Sequence, residues 1–472
     1  MQAGQQDDTG ANLAFIGLIV AVATIGGFMF GYDSGVINGT QEGLEKAFGL
    51  SKLGTGFNVG AILIGCAAGA FLAGRMADRY GRRNIMIVAA LLFILSALGA
   101  GAATSSVLFV AARLVGGLGV GAASVLTPVY ISEVTPATIR GRLASVQQIM
   151  IITGLTGAFV ANYVLANTAG SSTAPLWLGQ SAWRWMFWMQ AIPATIYLLA
   201  LFAIPESPRY LVARGRETEA GGILTRLLGS AEAERKVSEI RGSLAEDHHR
   251  PRLSDLIDPA TGRLRVIVWA GIGIAILQQF VGINIVFYYG AVLWQSVGFS
   301  EGDALKINIL SGALSILACL FTVFTVDRIG RKPLLLVGSV GMTVTLAVVA
   351  ACFATAAIQP GGGLHLDTGT GRIALVAANL YVVFFNVSWG PIMWVMLGEM
   401  FPNQFRGSAL AVAGAAQWAA NFAISVSFPA LASGVGLTPT YGFYALSAFV
   451  SFFFVRKFVR ETRGRELEDM VG

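Results

Sequence analysis

Twelve long apolar runs divide the chain, and no other feature restricts its fold as much. With soft edges they cover residues 12–37, 53–74, 84–104, 106–131, 144–166, 183–204, 266–297, 305–327, 333–357, 372–399, 407–432 and 438–458. A helix crossing a bilayer needs about 20 apolar residues. The runs therefore predict an all-α membrane protein with twelve transmembrane helices. Composition agrees: 55 % of residues are hydrophobic, 12 % are charged, and the mean hydropathy is +0.67. A soluble chain would carry about twice that charge.

The net charge is +6, but the basic residues sit in loops between apolar runs with no interleaved aromatics, which excludes a nucleic-acid partner. Cys66, Cys319 and Cys352 lie in apolar runs without zinc-ligand spacing, so no metal site is expected. His248, His249 and His365 fall in polar loops, which leaves no histidine proton relay within the membrane. The start, "QAGQQDDTG", is acidic and polar, and the first run is long enough to span, so no cleavable signal peptide is visible.

One long polar stretch, residues 205–265, separates the sixth and seventh runs. Its pattern "RETEAGGILTRLLGSAEAERKVSEIRGSL" predicts a small amphipathic helical insert. Basic loops face the cytoplasm. With both termini cytoplasmic, 26 of the 32 Lys and Arg residues fall on that side; Lys46, Lys52, Arg184, Lys306 and Arg372 fall outside, and Arg113 lies in a span. The expected organisation is a six-helix half over 12–204, a cytoplasmic linker over 205–265, a second six-helix half over 266–458 and a tail over 459–472.

The halves repeat one another. "SEVTPATIRG" (132–141) returns as "GEMFPNQFRG" (398–407), so Glu133, Pro136, Arg140 and Gly141 map onto Glu399, Pro402, Arg406 and Gly407. "GRMADRYGRR" (74–83) returns as "FTVDRIGRKP" (324–333). Two halves in the same orientation form the parallel repeat of major facilitator transporters, with a site at the midplane between them. Positive-inside topology alone needs no fixed Asp-x-x-Gly-Arg spacing. The recurring charges Asp78, Arg82, Glu133, Arg140, Glu206, Arg209, Asp327, Arg331, Glu399 and Arg406 are read as ion-pair latches closing the cytoplasmic side in one state.

Asp33 and Arg113 are charges within spans, where each costs at least about 2.5 kcal/mol. They either brace two helices, or Asp33 binds and releases a proton beside Arg113. "GGLGVGAAS" (116–124) mimics a dinucleotide fingerprint, but it lies inside a span and has no strand before it, so close helix packing is the better reading. Amides and aromatics cluster in four spans: Gln147 and Gln148; "QQFVGINIVFYYG"; "FFNVSWGPIMW"; and "AAQWAANF". Each glutamine alone could join helices. Together, without a balancing charge, they suit a neutral polyhydroxylated ligand, because amides both donate and accept hydrogen bonds. Gly282 and Pro391 mark places where gating helices can bend.

The motifs "GRMADRYGRR", "PESPRYL", "QQFVGIN", "VDRIGRKP" and "WGPIMWVMLGEMFP" resemble, in order, those of the sugar porter family of the major facilitator superfamily, over about Phe28 to Glu468. The resemblance implies sugar contacts at Gln148, Gln278, Gln279, Asn284, Trp394, Gln417 and Trp418, with Phe30, Tyr288, Phe385, Asn386 and Asn421 as further contributors. It implies proton coupling through Asp33 and Arg113, since facilitative members carry asparagine at the first position. Departures are Leu155 for a second glutamine, Ser315 for an asparagine, and "RETRG" for the terminal "PETKG", with Arg460 in place of proline. The expected function is a proton-coupled monosaccharide (hexose or pentose) importer, monomeric, in a bacterial inner membrane, without cofactor or enzymatic activity. A facilitative uniporter and a nontransporting sugar sensor are the alternatives.

Overall fold

The protein is described by a computed structural model covering residues 12–135, 137–246, 253–258, 261–358, 364–402 and 405–463. The first half comprises α1 (Leu13–Val36), a short α2 (Gln41–Phe48), α3 (Lys52–Tyr80), α4 (Arg82–Ala102), α5 (Ser106–Val134), α6 (Ala137–Ala169), α7 (Ala182–Met189) and α8 (Ala191–Leu201). The insert contains α9 (Pro208–Ala213), α10 (Glu217–Leu228) and α11 (Ser230–Glu246). The second half comprises α12 (Val266–Phe280), α13 (Ile283–Ser296), α14 (Glu301–Ile329), α15 (Arg331–Ala354), α16 (Thr368–Val387), α17 (Trp389–Met400), α18 (Arg406–Gly434) and α19 (Leu437–Phe458). A two-residue antiparallel pair, β1 (Ala357–Ile358) and β2 (Leu364–His365), joins α15 to α16.

Among the described residues, eleven segments are long and apolar enough to cross a membrane. The sixth predicted span is divided into α7 and α8 at Gln190. Pro193 accounts for the break, because it lacks the N–H that would bond the Met189 carbonyl. The seventh span breaks at Gly282, whose φ of +84° suits glycine. A Cβ there would lie 2.7 Å from the Tyr444 ring. The tenth span breaks at Ser388, shortly before Pro391, which offers no N–H to the Val387 carbonyl; the Thr322 hydroxyl donates to that carbonyl at 2.9 Å.

The glycine-rich run packs helices, as read from the sequence. Added Cβ atoms at Gly117 and Gly121 would fall 2.2 Å from the Ile62 carbonyl oxygen and 2.1 Å from that of Cys66, so α3 and α5 touch backbone to backbone. Large apolar side chains face outward around the bundle; Phe71, Leu95, Trp269 and Phe324 are each at least 59 % exposed, as a lipid-facing surface requires.

The insert docks under the first half. The Asn12 N–H bonds the Leu227 carbonyl at 2.9 Å, and the Arg226 guanidinium lies 4.4 Å from the Phe15 ring centroid. The described chain ends and the insert thus share one end of the bundle, the basic end. The loops at α2, α6–α7 and α13–α14 lie at the far end.

Candidate functional site

Asp33 sits near the end of α1 and is fully buried. Its Oδ1 accepts from Arg113 Nη1 of α5 at 2.7 Å and from Gln190 Nε2, at the α7–α8 break, at 2.9 Å. Arg113 Nη2 also donates to the Asp33 carbonyl at 3.3 Å, and the guanidinium faces the Phe187 ring at 5.8 Å. Asp33 Oδ2, Arg113 Nε and Gln190 Oε1 are buried without a hydrogen-bond partner among the described residues. A buried ion pair is tolerated only with added hydrogen bonds, and Gln190 supplies one. Sequence reasoning missed Gln190. The available signal was an amide two residues after "WRWMFW" and three before a proline, inside an apolar run.

The amides of the second half form a relay across the two helix breaks. Asn284 Nδ2 donates to Gln279 Oε1. Gln279 Nε2 donates to Gln278 Oε1 at 2.8 Å, and Gln278 Nε2 donates to the Trp389 carbonyl at 3.1 Å. A break in a helix frees carbonyls that hydrocarbon cannot solvate. Here Gln278 serves the α16–α17 break, and the Tyr381 hydroxyl serves the other, donating to the Val281 carbonyl at 2.8 Å.

Other expected contacts fall around this relay. The Tyr288 hydroxyl interacts with Asn421 of α18 and with Ser34, the neighbour of Asp33. Phe30 and Trp418 bring α1 and α18 together, with ring centroids 6.1 Å apart. Gln417 is buried and its Oε1 has no partner among the described residues. Gln148 is half-buried on α6, and Trp394 on α17 is 42 % exposed. Phe385 is buried against Gly390.

Asn386 does not join the relay. Its Nδ2 donates to Ser315 Oγ at 3.1 Å and to the Val382 carbonyl at 2.9 Å, so it ties α16 to α14. Trp389 is likewise structural, its indole N–H donating to the Leu335 carbonyl and to Ser339 Oγ, both at 3.1 Å.

The halves meet at the far end. Asn38 Nδ2 donates to the Phe287 carbonyl at 2.8 Å, while its Oδ1 accepts from Ala291 N at 3.1 Å and Asn308 Nδ2 at 2.8 Å. Gln41 Nε2 donates to the Tyr288 carbonyl. Gly56 of α3 packs on the Val426 carbonyl of α18, and Gly312 of α14 on Thr156 of α6. Asn38, Gln41 and Asn308 were not anticipated, because the groups they pair with are mostly backbone.

At the basic end no hydrogen bond or ion pair joins the halves among the described residues. The charges expected to act as latches pair within each half. Arg82 bonds Glu133 at 3.1 Å and Asp78 at 2.8 Å; Arg331 bonds Glu399 at 2.8 Å and Asp327 at 2.9 Å. Glu206 Oε1 accepts from the backbone N–H groups of Arg82 and Arg83 at 2.9 and 3.1 Å, capping α4. Glu461 does the same for α15, accepting from Arg331 N at 3.0 Å and Lys332 N at 2.9 Å. A Cβ on Gly81 or Gly330 would lie 2.3 or 2.8 Å from those carboxylates, which explains the glycine of each motif. Arg209 has no hydrogen-bond or ion-pair partner among the described residues. Arg406 Nε donates to the Phe401 carbonyl at 3.1 Å, and the Arg140 side chain lies outside the described residues.

A family model described as "Sugar (and other) transporter" matches residues 19–471. The chain belongs to the sugar porter family of the major facilitator superfamily. This sugar porter is 50 % identical to the "Glucose transport protein" of Synechocystis over 98 % of both chains. It is 37 % identical to the "D-xylose-proton symporter" of Escherichia coli, covering 98 % of this chain and 96 % of that one. It superposes with a TM-score of 0.82 on the partially occluded inward open conformation of the xylose transporter XylE from E. coli, at 35 % identity, over 96 % of this chain and 100 % of that one. The hydrogen bonds that join the halves at the far end, with none joining them at the basic end among the described residues, fit that likeness.

Proposed function

We propose that this sugar porter is a proton-coupled monosaccharide importer of a bacterial inner membrane, acting as a monomer with its basic end in the cytoplasm. The observation that carries this reading is the Asp33 carboxylate: both described bonds fall on Oδ1, and Oδ2 is buried without a described partner. A proton added at Oδ2 removes the charge facing Arg113 while leaving the Oδ1 contacts in place.

Proton and sugar use different halves in this reading. Asp33, Arg113 and Gln190 belong to the first, and the Gln278–Gln279–Asn284 relay belongs to the second. Ser34 and Tyr288 connect them. Protonation with the far end open loosens the pair, sugar binds the amides with Gln417 and Trp418, and α13 closes over it at the Gly282 hinge. The basic end then parts, sugar leaves, and Asp33 deprotonates and pairs again with Arg113. Asn386 is left out of the contact set because its donors are engaged elsewhere. The names of the two relatives put glucose and xylose first among sugars to test.

Proteoliposomes with an imposed pH gradient decide the coupling. Symport predicts glucose or xylose concentrated together with lumenal acidification. Equilibration without concentration supports the uniporter reading instead.

A further inference from the structure

Two charged side chains at the start of α14 cross to the other half at the far end, and neither belongs to the proton pair or the amide relay. Glu301 is the first residue of α14, after the Ser300 cap. Its Oε1 accepts from the backbone N–H of Ser172 at 3.0 Å. Ser172 is buried in the α6–α7 loop, where its own carbonyl accepts from Trp183 N at 2.9 Å. The donor is therefore fixed. Lys306, further along α14, holds its ammonium 5.8 Å from the Tyr163 ring centroid on α6.

The charges around Glu301 favour the contact. On α2, Lys46 pairs with Glu42 at 2.6 Å and also feels the Glu301 carboxylate. On α14 itself, Asp303 pairs with Lys306 at 3.2 Å. The α6–α7 loop residues 170–181 carry no charge.

Leverage makes the contact sensitive to rocking. α14 and α6 approach closely at Gly312, where an added Cβ would lie 2.5 Å from Thr156 Oγ1. Glu301 is about 16 Å along the helix from there at 1.5 Å per residue. A tilt of about 10° therefore displaces it by about 3 Å, which ends a hydrogen bond.

We propose that Glu301 is a positioning residue for transport: its bond to the Ser172 N–H latches the far end shut and sets the share of molecules resting with the basic end open. This rests on alternating access as read above, and not on proton coupling.

The test uses the full chain in nanodiscs, with spin labels at Leu53→Cys and Val435→Cys. These sites are 59 and 62 % exposed at the far end, one on each half, and the native cysteines are buried. Without sugar, Glu301→Ala raises the long-distance population about fivefold, the effect of losing one partly exposed charged contact. Glu301→Gln, which keeps an acceptor, raises it less, and Lys306→Ala moves it the same way. Far-side sugar affinity tightens in proportion, since the competent fraction grows. An unchanged distance distribution and affinity in Glu301→Ala, with normal thermal melting, overturns the latch. The measurement repeated on Asp33→Asn separates the two claims, because the latch effect persists there even if proton coupling is wrong. A wild type locked at one distance with and without sugar overturns alternating access and the latch together.

Discussion

Asp33→Asn is the substitution that most sharply divides a proton site from a brace. In the wild type the carboxylate faces Arg113 at 2.7 Å in a fully buried setting. Removing one partner of a buried pair costs about 3–5 kcal/mol, mostly from the charge left behind. Asparagine keeps an Oδ1 that accepts from Arg113 and Gln190, so the loss belongs at the lower end, about 3 kcal/mol. That is survivable for a bundle this size, but the variant should melt measurably earlier. The transport effect is larger. At 100 mV, one proton per sugar supplies about 2.3 kcal/mol, enough for roughly a 50-fold sugar gradient. Asparagine carries no proton in or out, so the variant should equilibrate sugar and stop. The assay is labelled glucose or xylose uptake into proteoliposomes with an imposed potential and pH gradient, beside exchange without a gradient. Accumulation should vanish, exchange should persist, and sugar affinity should stay within about twofold. Accumulation that survives in Asp33→Asn refutes the proton role. Loss of both exchange and binding shows instead that the pair holds the bundle in shape.

Four further outcomes are expected. Gln279→Ala interrupts the relay between Asn284 and Gln278 and should weaken sugar binding about tenfold by calorimetry, the effect of one hydrogen bond to a polar ligand; an unchanged affinity removes Gln279 from the site. Gln190→Leu takes away the second donor to Asp33 and should slow concentrative uptake several-fold while sugar affinity holds, which a purely structural role would not separate. Gly282→Ala puts a Cβ 2.7 Å from the Tyr444 ring at a positive φ and should lower stability by more than about 1 kcal/mol, read as an earlier melt with impaired transport. Burial pushes the Glu461 carboxyl up, but the backbone N–H groups of Arg331, Arg463, Lys332 and Thr462 outweigh it and hold it below its ordinary value. The cap it makes on α15 is therefore fully present above the unfolded carboxyl's pKa and is lost as pH falls through the lower folded value. Amide exchange at Arg331 and Lys332, corrected for intrinsic rates, should accelerate only in that acid range.

What the sequence disclosed follows from what the bilayer demands. Hydrocarbon imposes length and apolarity on every span, so the helices and the twofold repeat are visible without any knowledge of packing. The same solvent makes a charge costly, so Asp33 and Arg113 stand out and imply one another. Gln190 does not stand out, because amides are tolerated in spans and its pairing with Asp33 depends on how the sixth span crosses the first. The basic-end motifs show less in the string than in the fold. Arginine and glutamate at fixed spacing read as latches closing the cytoplasmic side in one state, and the fold adds that Glu206 and Glu461 cap helix starts while Arg82 and Arg331 pair within their own half. Backbone N–H and C=O groups are invisible in a string of side chains, and they are the partners of Asn38, Gln41 and Glu301 as well as of these caps. The closed end is harder still to read. A sequence that alternates must stabilise two packings within a few kcal/mol, so no single residue type marks which end is shut. On the latch proposed for Glu301, that choice rests in part on its contact with the Ser172 N–H at the far end, so perturbing Glu301 should change the resting state while leaving the sugar site and the proton pair intact.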